Sequence, residues 1–163
     1  MQMKLSNKNK LVLFDIDYTL FDTANFKDSS LSDYQLYDEI EHLLIKLSSI
    51  VDLGIFSKGE KDFQKLKLQK TGIEKYFHPE NIHIFENKDE NLQAVIKKYS
   101  DRSIYLVDDK LEILYNTKKN NSSIFTIWIK RGPYAQDETL LNNFSPDKIV
   151  ESLNEMEKYI LDN

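Results

Sequence analysis

The sequence predicts an α/β protein: a Rossmann-like, three-layer arrangement of about five parallel strands with helices on both faces. Three observations carry that prediction. Short apolar runs alternate with longer amphipathic stretches along the chain. The first run, LVLF at residues 11–14, is apolar without alternation, as strands covered on both faces are. Several runs also end in polar, chemistry-bearing residues, and ligands of open parallel sheets bind at the carboxyl ends of strands.

The elements follow in order. The strand at residues 11–14 surfaces in Asp15, Ile16, Asp17, Tyr18 and Thr19. A polar connection over residues 22–32 follows, with Asp22 read as a loop acid. A helix is expected from Ser32 or Asp33, either able to cap it, with Leu36, Ile40, Leu43, Leu44 and Leu47 on one face. A second strand, residues 50–56, ends in Ser57, Lys58 and Gly59. Residues 60–70 read as a helix with loose apolar periodicity, stopped by Thr71 and Gly72, the latter a left-handed cap. A turn anchored by Ile73, Tyr76 and Phe77 leads to a third strand at 81–85. Lys88 opens a helix to about residue 99 with Leu92, Val95 and Ile96 inward. The fourth strand, 103–107, ends in Asp108 and Asp109; a helix over 110–118 and a fifth strand over 124–129 complete the alternation. Gly132 and Pro133 break that strand. The chain to Pro146 reads as irregular, and a last helix is expected over 147–161, with Ile149, Leu153, Met156 and Ile160 on one side. Strand-helix alternation of this kind calls for right-handed crossovers.

Length and composition fit one soluble globular domain over residues 1–163. A chain of 163 residues buries about 70% of its unfolded surface. Its net charge of −5 carries no basic half, which argues against nucleic acid as an electrostatic partner. The absence of cysteine excludes disulfides, thiolate catalysis and cysteine–zinc sites. His42, His78 and His83 lack metal-ligand spacing and read as structural. No run approaches the ~18 apolar residues of a membrane span, and the first ten residues lack a signal-peptide core, so a cytoplasmic location and no membrane partner are expected.

Four strand ends therefore carry polar groups: Asp15 and Asp17, then Ser57 and Lys58, then Lys88, then Asp108 and Asp109. A parallel sheet gathers them along one edge. Acids, a hydroxyl and a lysine suit phosphoryl transfer to a carboxylate: one acid attacks phosphorus, and a second protonates the departing oxygen. A hard cation neutralises the acids, and Mg²⁺ prefers one or two carboxylates with phosphate oxygens and waters. A hydroxyl and an ammonium hold the remaining phosphoryl oxygens.

At these residues the chain resembles the haloacid dehalogenase-like superfamily of aspartate-nucleophile phosphohydrolases. FDIDYTL, the serine of FSKG, the lysine of NKDE, and LVDD occur in that order, each after an apolar strand, and span about residues 11–130. The resemblance implies Asp15 as nucleophile and Asp17 as general acid, then base. It implies Mg²⁺ on the Asp15 carboxylate, the Asp17 backbone carbonyl and Asp108. Ser57 and Lys88 would hold the phosphoryl group, Lys88 also orienting Asp15, and Thr19 would support the loop. The dehalogenase branch lacks an acid at the second position, so Asp17 favours phosphate esters. Lys58 is the rival lysine, or a substrate contact. Asp109 reads first as a supporting partner behind the metal ligands, with a metal ligand or the cap of the next helix as the alternatives. Relatives spread their last acids four residues apart; here the two are adjacent, with Glu112 further on, which leaves the second acid's role open.

Neither cap position of the superfamily has room for a full cap domain, so an open site is expected. By analogy, capless relatives act on large substrates or close their site with another subunit; a phosphorylated small molecule or macromolecule and an oligomer are both within the expectation. Tyr18, Phe21 and Phe26 read equally as a flap over the entrance or as plugs in the core. Competing readings are a catalytically silent protein that binds metal or phosphate, a phosphomutase, and a phosphorylation-receiver domain. The last places its paired acids after the first strand and its acceptor after a middle one, unlike the Asp-x-Asp here.

Overall fold

The computed structural model describes residues 9–136 and 143–162. It contains a six-stranded parallel sheet in the order β3-β2-β1-β4-β5-β6. The strands are β1 (Lys10–Phe14), β2 (Asp52–Lys58), β3 (Ile82–Phe85), β4 (Ser103–Asp108), β5 (Phe125–Ile129) and β6 (Lys148–Val150). The helices are α1 (Thr23–Asp28), α2 (Ile40–Ser48), α3 (Lys61–Lys70), α4 (Lys88–Lys98), α5 (Leu111–Asn120) and α6 (Met156–Leu161).

Strand pleating divides the apolar runs between two cores. Val12, Phe14, Ile55, Val107 and Ile127 pack with Leu44 and Leu47 of α2, Leu68 of α3 and Ile160 of α6. Leu11, Leu13, Phe56, Leu106 and Trp128 pack on the other face with Leu92 and Val95 of α4 and Leu114 of α5. The chain winds outward from β1 through β2 to β3, then crosses back to β4 and onward. Right-handed crossovers run in opposite directions must lay their helices on opposite faces, as α2 and α3 against α4 and α5 do. The reversal lies between β1 and β4, the position where doubly wound sheets open a crevice. Asp15 N–H donates to the Val107 carbonyl at 3.0 Å, carrying the β1–β4 ladder up to that crevice.

Four expectations need correction. The helix expected from Ser32 begins at Ile40. Residues between β1 and α2 instead fold as a flap containing α1, capped by Asp22, which accepts from Asn25 N–H at 3.0 Å. Leu36 belongs to that flap, bridging antiparallel to Phe21, and Phe21, Phe26 and Tyr34 form an aromatic cluster beneath it. The last helix begins at Met156, because Lys148–Val150 add a sixth strand at the sheet edge. Ile149, expected inward on that helix, is half exposed there. Gly72, at φ 74°, is the left-handed helix stop that its sequence position indicates.

Candidate active site

Asp15 follows β1 directly, and Asp108 ends β4, the strand beside it. Their carboxylates and that of Asp109 lie within 4.8 Å of one another, and all three residues are buried. Lys88 stands between them. It sits at the start of α4, where the helix dipole disfavours a cation, and the structure supplies the reason. Its Nζ donates to Asp15 Oδ1 at 3.1 Å and to Asp108 Oδ2. Burial alone would lower the Lys88 pKa, but Asp108 and Asp15 outweigh it and hold the ammonium above the ordinary lysine range.

Local bonds fix the acids. Asp108 Oδ1 accepts from Lys110 N–H at 2.8 Å. The indole Nε1 of Trp128 donates to the Asp109 carbonyl at 2.8 Å, tying that backbone to β5. Asp109 Oδ1 is buried without a hydrogen-bond partner among the described residues. Burial, with Asp15 and Asp108 adding repulsion, pushes the Asp109 carboxyl up to about 10. Burial likewise raises Asp15 to about 6, against the pull of Lys88. A buried, unpartnered carboxylate oxygen among three clustered acids is a donor set that fits a hard divalent cation. Asp109, expected behind the metal ligands, lies in the same cluster as Asp15 and Asp108.

Asp17 points to a different set of partners. Lys67 Nζ and Thr23 Oγ1 donate to its Oδ1 at 2.7 and 2.9 Å, and Gln64 Nε2 donates to Oδ2 at 2.9 Å. Gln64 also donates to Ser57 Oγ at 3.1 Å and to the Lys58 carbonyl at 3.0 Å, so it links the β2 end to the β1 loop. The loop itself turns at Tyr18, whose φ is 56°, while Ile16 O accepts from the N–H groups of Thr19, Leu20 and Phe21. Gly132, at φ 65°, lies against Tyr18: a Cβ there would come 2.3 Å from Tyr18 Cδ1.

A cavity of about 500 Å³ brings together Asp15, Asp17, Lys58, Lys88, Asp108 and Asp109, with Glu112 also on its wall. Ser57 is fully buried behind it and reaches Asp17 through Gln64. Thr19 is buried too; its Oγ1 has no partner among the described residues, and its carbonyl accepts from Arg131 Nη1 at 3.0 Å. Phe21 and Phe26 are both plugs in the core, Phe26 also reaching the cavity wall, and Tyr18 of the β1 loop lines that wall too.

Sequence reasoning missed Gln64 and Lys67. Both are buried on α3 with Leu68, while Phe63 is 39% exposed. The loose apolar periodicity of residues 60–70 was the available signal: the inward stripe of this helix is partly polar because it serves the site.

No protein-family model and no curated protein matches the chain. Solved structures do. A haloacid dehalogenase-like hydrolase from Burkholderia xenovorans LB400 superposes with a TM-score of 0.80 at 20% identity, covering 95% of this chain and 98% of that one. The chain has the haloacid dehalogenase-like hydrolase fold. The same fold is shared with the HAD-hydrolase YfnB from Bacillus subtilis bound to magnesium (TM-score 0.73, 14% identity, 94% and 99% covered). It is shared equally with L-2-haloacid dehalogenase from Xanthobacter autotrophicus (0.68, 13%, 93% and 98%). Among the described residues, no helix is long and apolar enough to cross a membrane.

Proposed function

We propose that the protein is a Mg²⁺-dependent phosphohydrolase of the haloacid dehalogenase-like superfamily that cleaves phosphate monoesters. The observation that carries this reading is the buried trio of Asp15, Asp108 and Asp109 around Lys88, with Asp17 opening onto the same cavity. A bound Mg²⁺, held by Asp15, Asp108, Asp109 and the Asp17 carbonyl, would neutralise the clustered acids and the phosphoryl charge.

The chain's own groups do the rest. An Asp15 carboxylate oxygen attacks phosphorus, forming a P–O bond as the ester P–O bond breaks. The Asp17 carboxyl gives its proton to the departing oxygen, which leaves as an alcohol. The Asp17 carboxylate then takes a proton from water, whose oxygen attacks the phosphorus of the aspartyl-phosphate; phosphate leaves and Asp15 is restored. Lys88 holds Asp15 in place and balances charge on the transferred group. Ser57, joined to Asp17 through Gln64, keeps the β2 end beside the phosphoryl position. Lys67, Gln64 and Thr23 fix the Asp17 side chain.

Dehalogenation is the rival on this fold. A halide departs as a stable anion and needs neither a proton nor a divalent cation, so that chemistry leaves Asp17 and the acid trio without a task. The test is hydrolysis of p-nitrophenyl phosphate with and without Mg²⁺, alongside halide release from 2-chloropropionate. Mg²⁺-dependent hydrolysis is expected, abolished in Asp15→Asn and reduced ~100-fold or more in Asp17→Asn. Full activity in Asp15→Asn, absence of Mg²⁺-dependent turnover, or halide release instead would overturn the assignment.

A further inference from the structure

We propose that the site, read as a phosphatase centre, takes a small aryl phosphate whose aromatic leaving group carries a second anionic group. This deepens the phosphatase reading and rests on it. The cavity, about 500 Å³, is in the size range of small-molecule sites. One wall is apolar: Phe26, Leu31 and Phe63. Phe63 and Leu31 are 39% and 59% exposed, two of the large apolar side chains this protein leaves in water. Both line the cavity, and the Phe26 and Phe63 rings lie 6.1 Å apart.

Leu31 is held there at a cost. Ser30 and Leu31 both adopt left-handed backbone, at φ 58° and 62°, which a branched, bulky residue strongly disfavours. The turn is pinned by Leu31 N–H to the Phe26 carbonyl at 2.9 Å and by Asp33 N–H to Ser29 Oγ at 2.9 Å. Strain spent to keep an apolar side chain over the site suits a substrate with an apolar face. Aromatic neighbours favour a ring.

Charge supplies the second half. Lys27, Lys58 and Lys110 also line the cavity, and none of them pairs with a carboxylate among the described residues, unlike Lys67 and Lys88. Lys27 meets Tyr18 Oη at 3.2 Å, and Lys110 lies over the Tyr134 ring. Lys110 immediately precedes α5, where a cation works against the helix dipole. Asp89 and Glu112 share the wall, but they occupy the first turns of α4 and α5, where that dipole accounts for them. The lysines are thus free to meet an anion other than the phosphoryl group being transferred, either a carboxylate or a second phosphate.

The experiment compares kcat/KM, with Mg²⁺, for four esters: 4-carboxyphenyl phosphate, 1,4-phenylene bisphosphate, the uncharged isostere 4-carbamoylphenyl phosphate, and glycerol phosphate, which has no ring. At least one charged aryl ester should exceed the carbamoyl ester by about tenfold, and the Lys27→Gln/Lys58→Gln/Lys110→Gln variant should bring that ratio near one. Leu31→Ser/Phe63→Ser should lower the ratio of aryl to glycerol ester by about tenfold. Equal rates on charged and uncharged aryl esters, or ratios unmoved in both variants, overturn the inference while leaving a phosphatase. Preference for a phosphotyrosyl peptide over every small ester overturns it in favour of a protein substrate. No hydrolysis of any ester sinks the phosphatase reading itself.

Discussion

Adding Mg²⁺ to the metal-free protein should stabilise it and release a proton. Carboxylates 4.8 Å apart at an effective dielectric of about 20 repel by about 3.5 kcal/mol per pair, and Lys88 and Lys110 together do not offset that repulsion and the burial of Asp109. Without metal, the relief is a proton on Asp109, whose carboxyl burial pushes up to about 10. The folded state then keeps a proton that the unfolded chain sheds above its ordinary value of 3.8. That contribution to stability is complete below about 4 and is lost as pH rises toward 10. Asp15, raised to about 6, acts in the same direction over a narrower window. A cation that takes the proton's place removes this penalty. At one hundred times its dissociation constant it adds about 2.7 kcal/mol, which for a chain of this size raises the melting temperature by about 5–10 °C. Thermal melts across a Mg²⁺ titration at pH 7 read the shift. Calorimetry in buffers of different ionisation enthalpy reads the proton. Asp108→Asn should abolish the rise. A melting curve unmoved by millimolar Mg²⁺, or binding without proton release, would refute the reasoning.

Two further outcomes follow from the same contacts. Lys88→Met leaves the buried carboxylates of Asp15 and Asp108 without their shared partner and should cost about 3–5 kcal/mol in urea denaturation; a loss below 1 kcal/mol would show that the ammonium is not what holds them. Burial, helped by Lys98, holds the His83 imidazole down at about 4, and its Nε2 meets Tyr99 Oη at 2.6 Å. The unfolded chain takes up a proton that the folded state refuses between about pH 6.5 and 4, so this stability is complete above the window and lost as pH falls through it. Melting temperatures with Mg²⁺ present should fall over that range, less steeply in His83→Gln; identical slopes would contradict this.

Much of the site was legible because it is local. An apolar run ending in acids marks a strand and its carboxyl end together, and Asp15, Lys88 and Asp108 each sit at such an end or at the helix start after one. Only the sheet topology then brings β1 and β4 side by side. What was not legible depends on neighbours. Lys148–Val150 is a strand because β5 offers an edge; it is only three residues long and largely exposed, so Ile149 and Val150 merge with the helical pattern beyond. The flap from Asp22 to Tyr37 owes its shape to Phe21, Phe26 and Tyr34 meeting one another, contacts that no single-helix periodicity encodes.

The alternation of strands and helices, and the acids and lysine at the strand ends, were written in the chain itself, because apolar period and strand-end chemistry are properties of neighbouring residues. Which polar side chains turn inward was decided only when α3 packed on the sheet: Gln64 and Lys67 face the site because Asp17 and Ser57 wait there to accept their hydrogens. The same is true of Asp109, whose closeness to Asp15 arises from two strands far apart in sequence ending at one crevice.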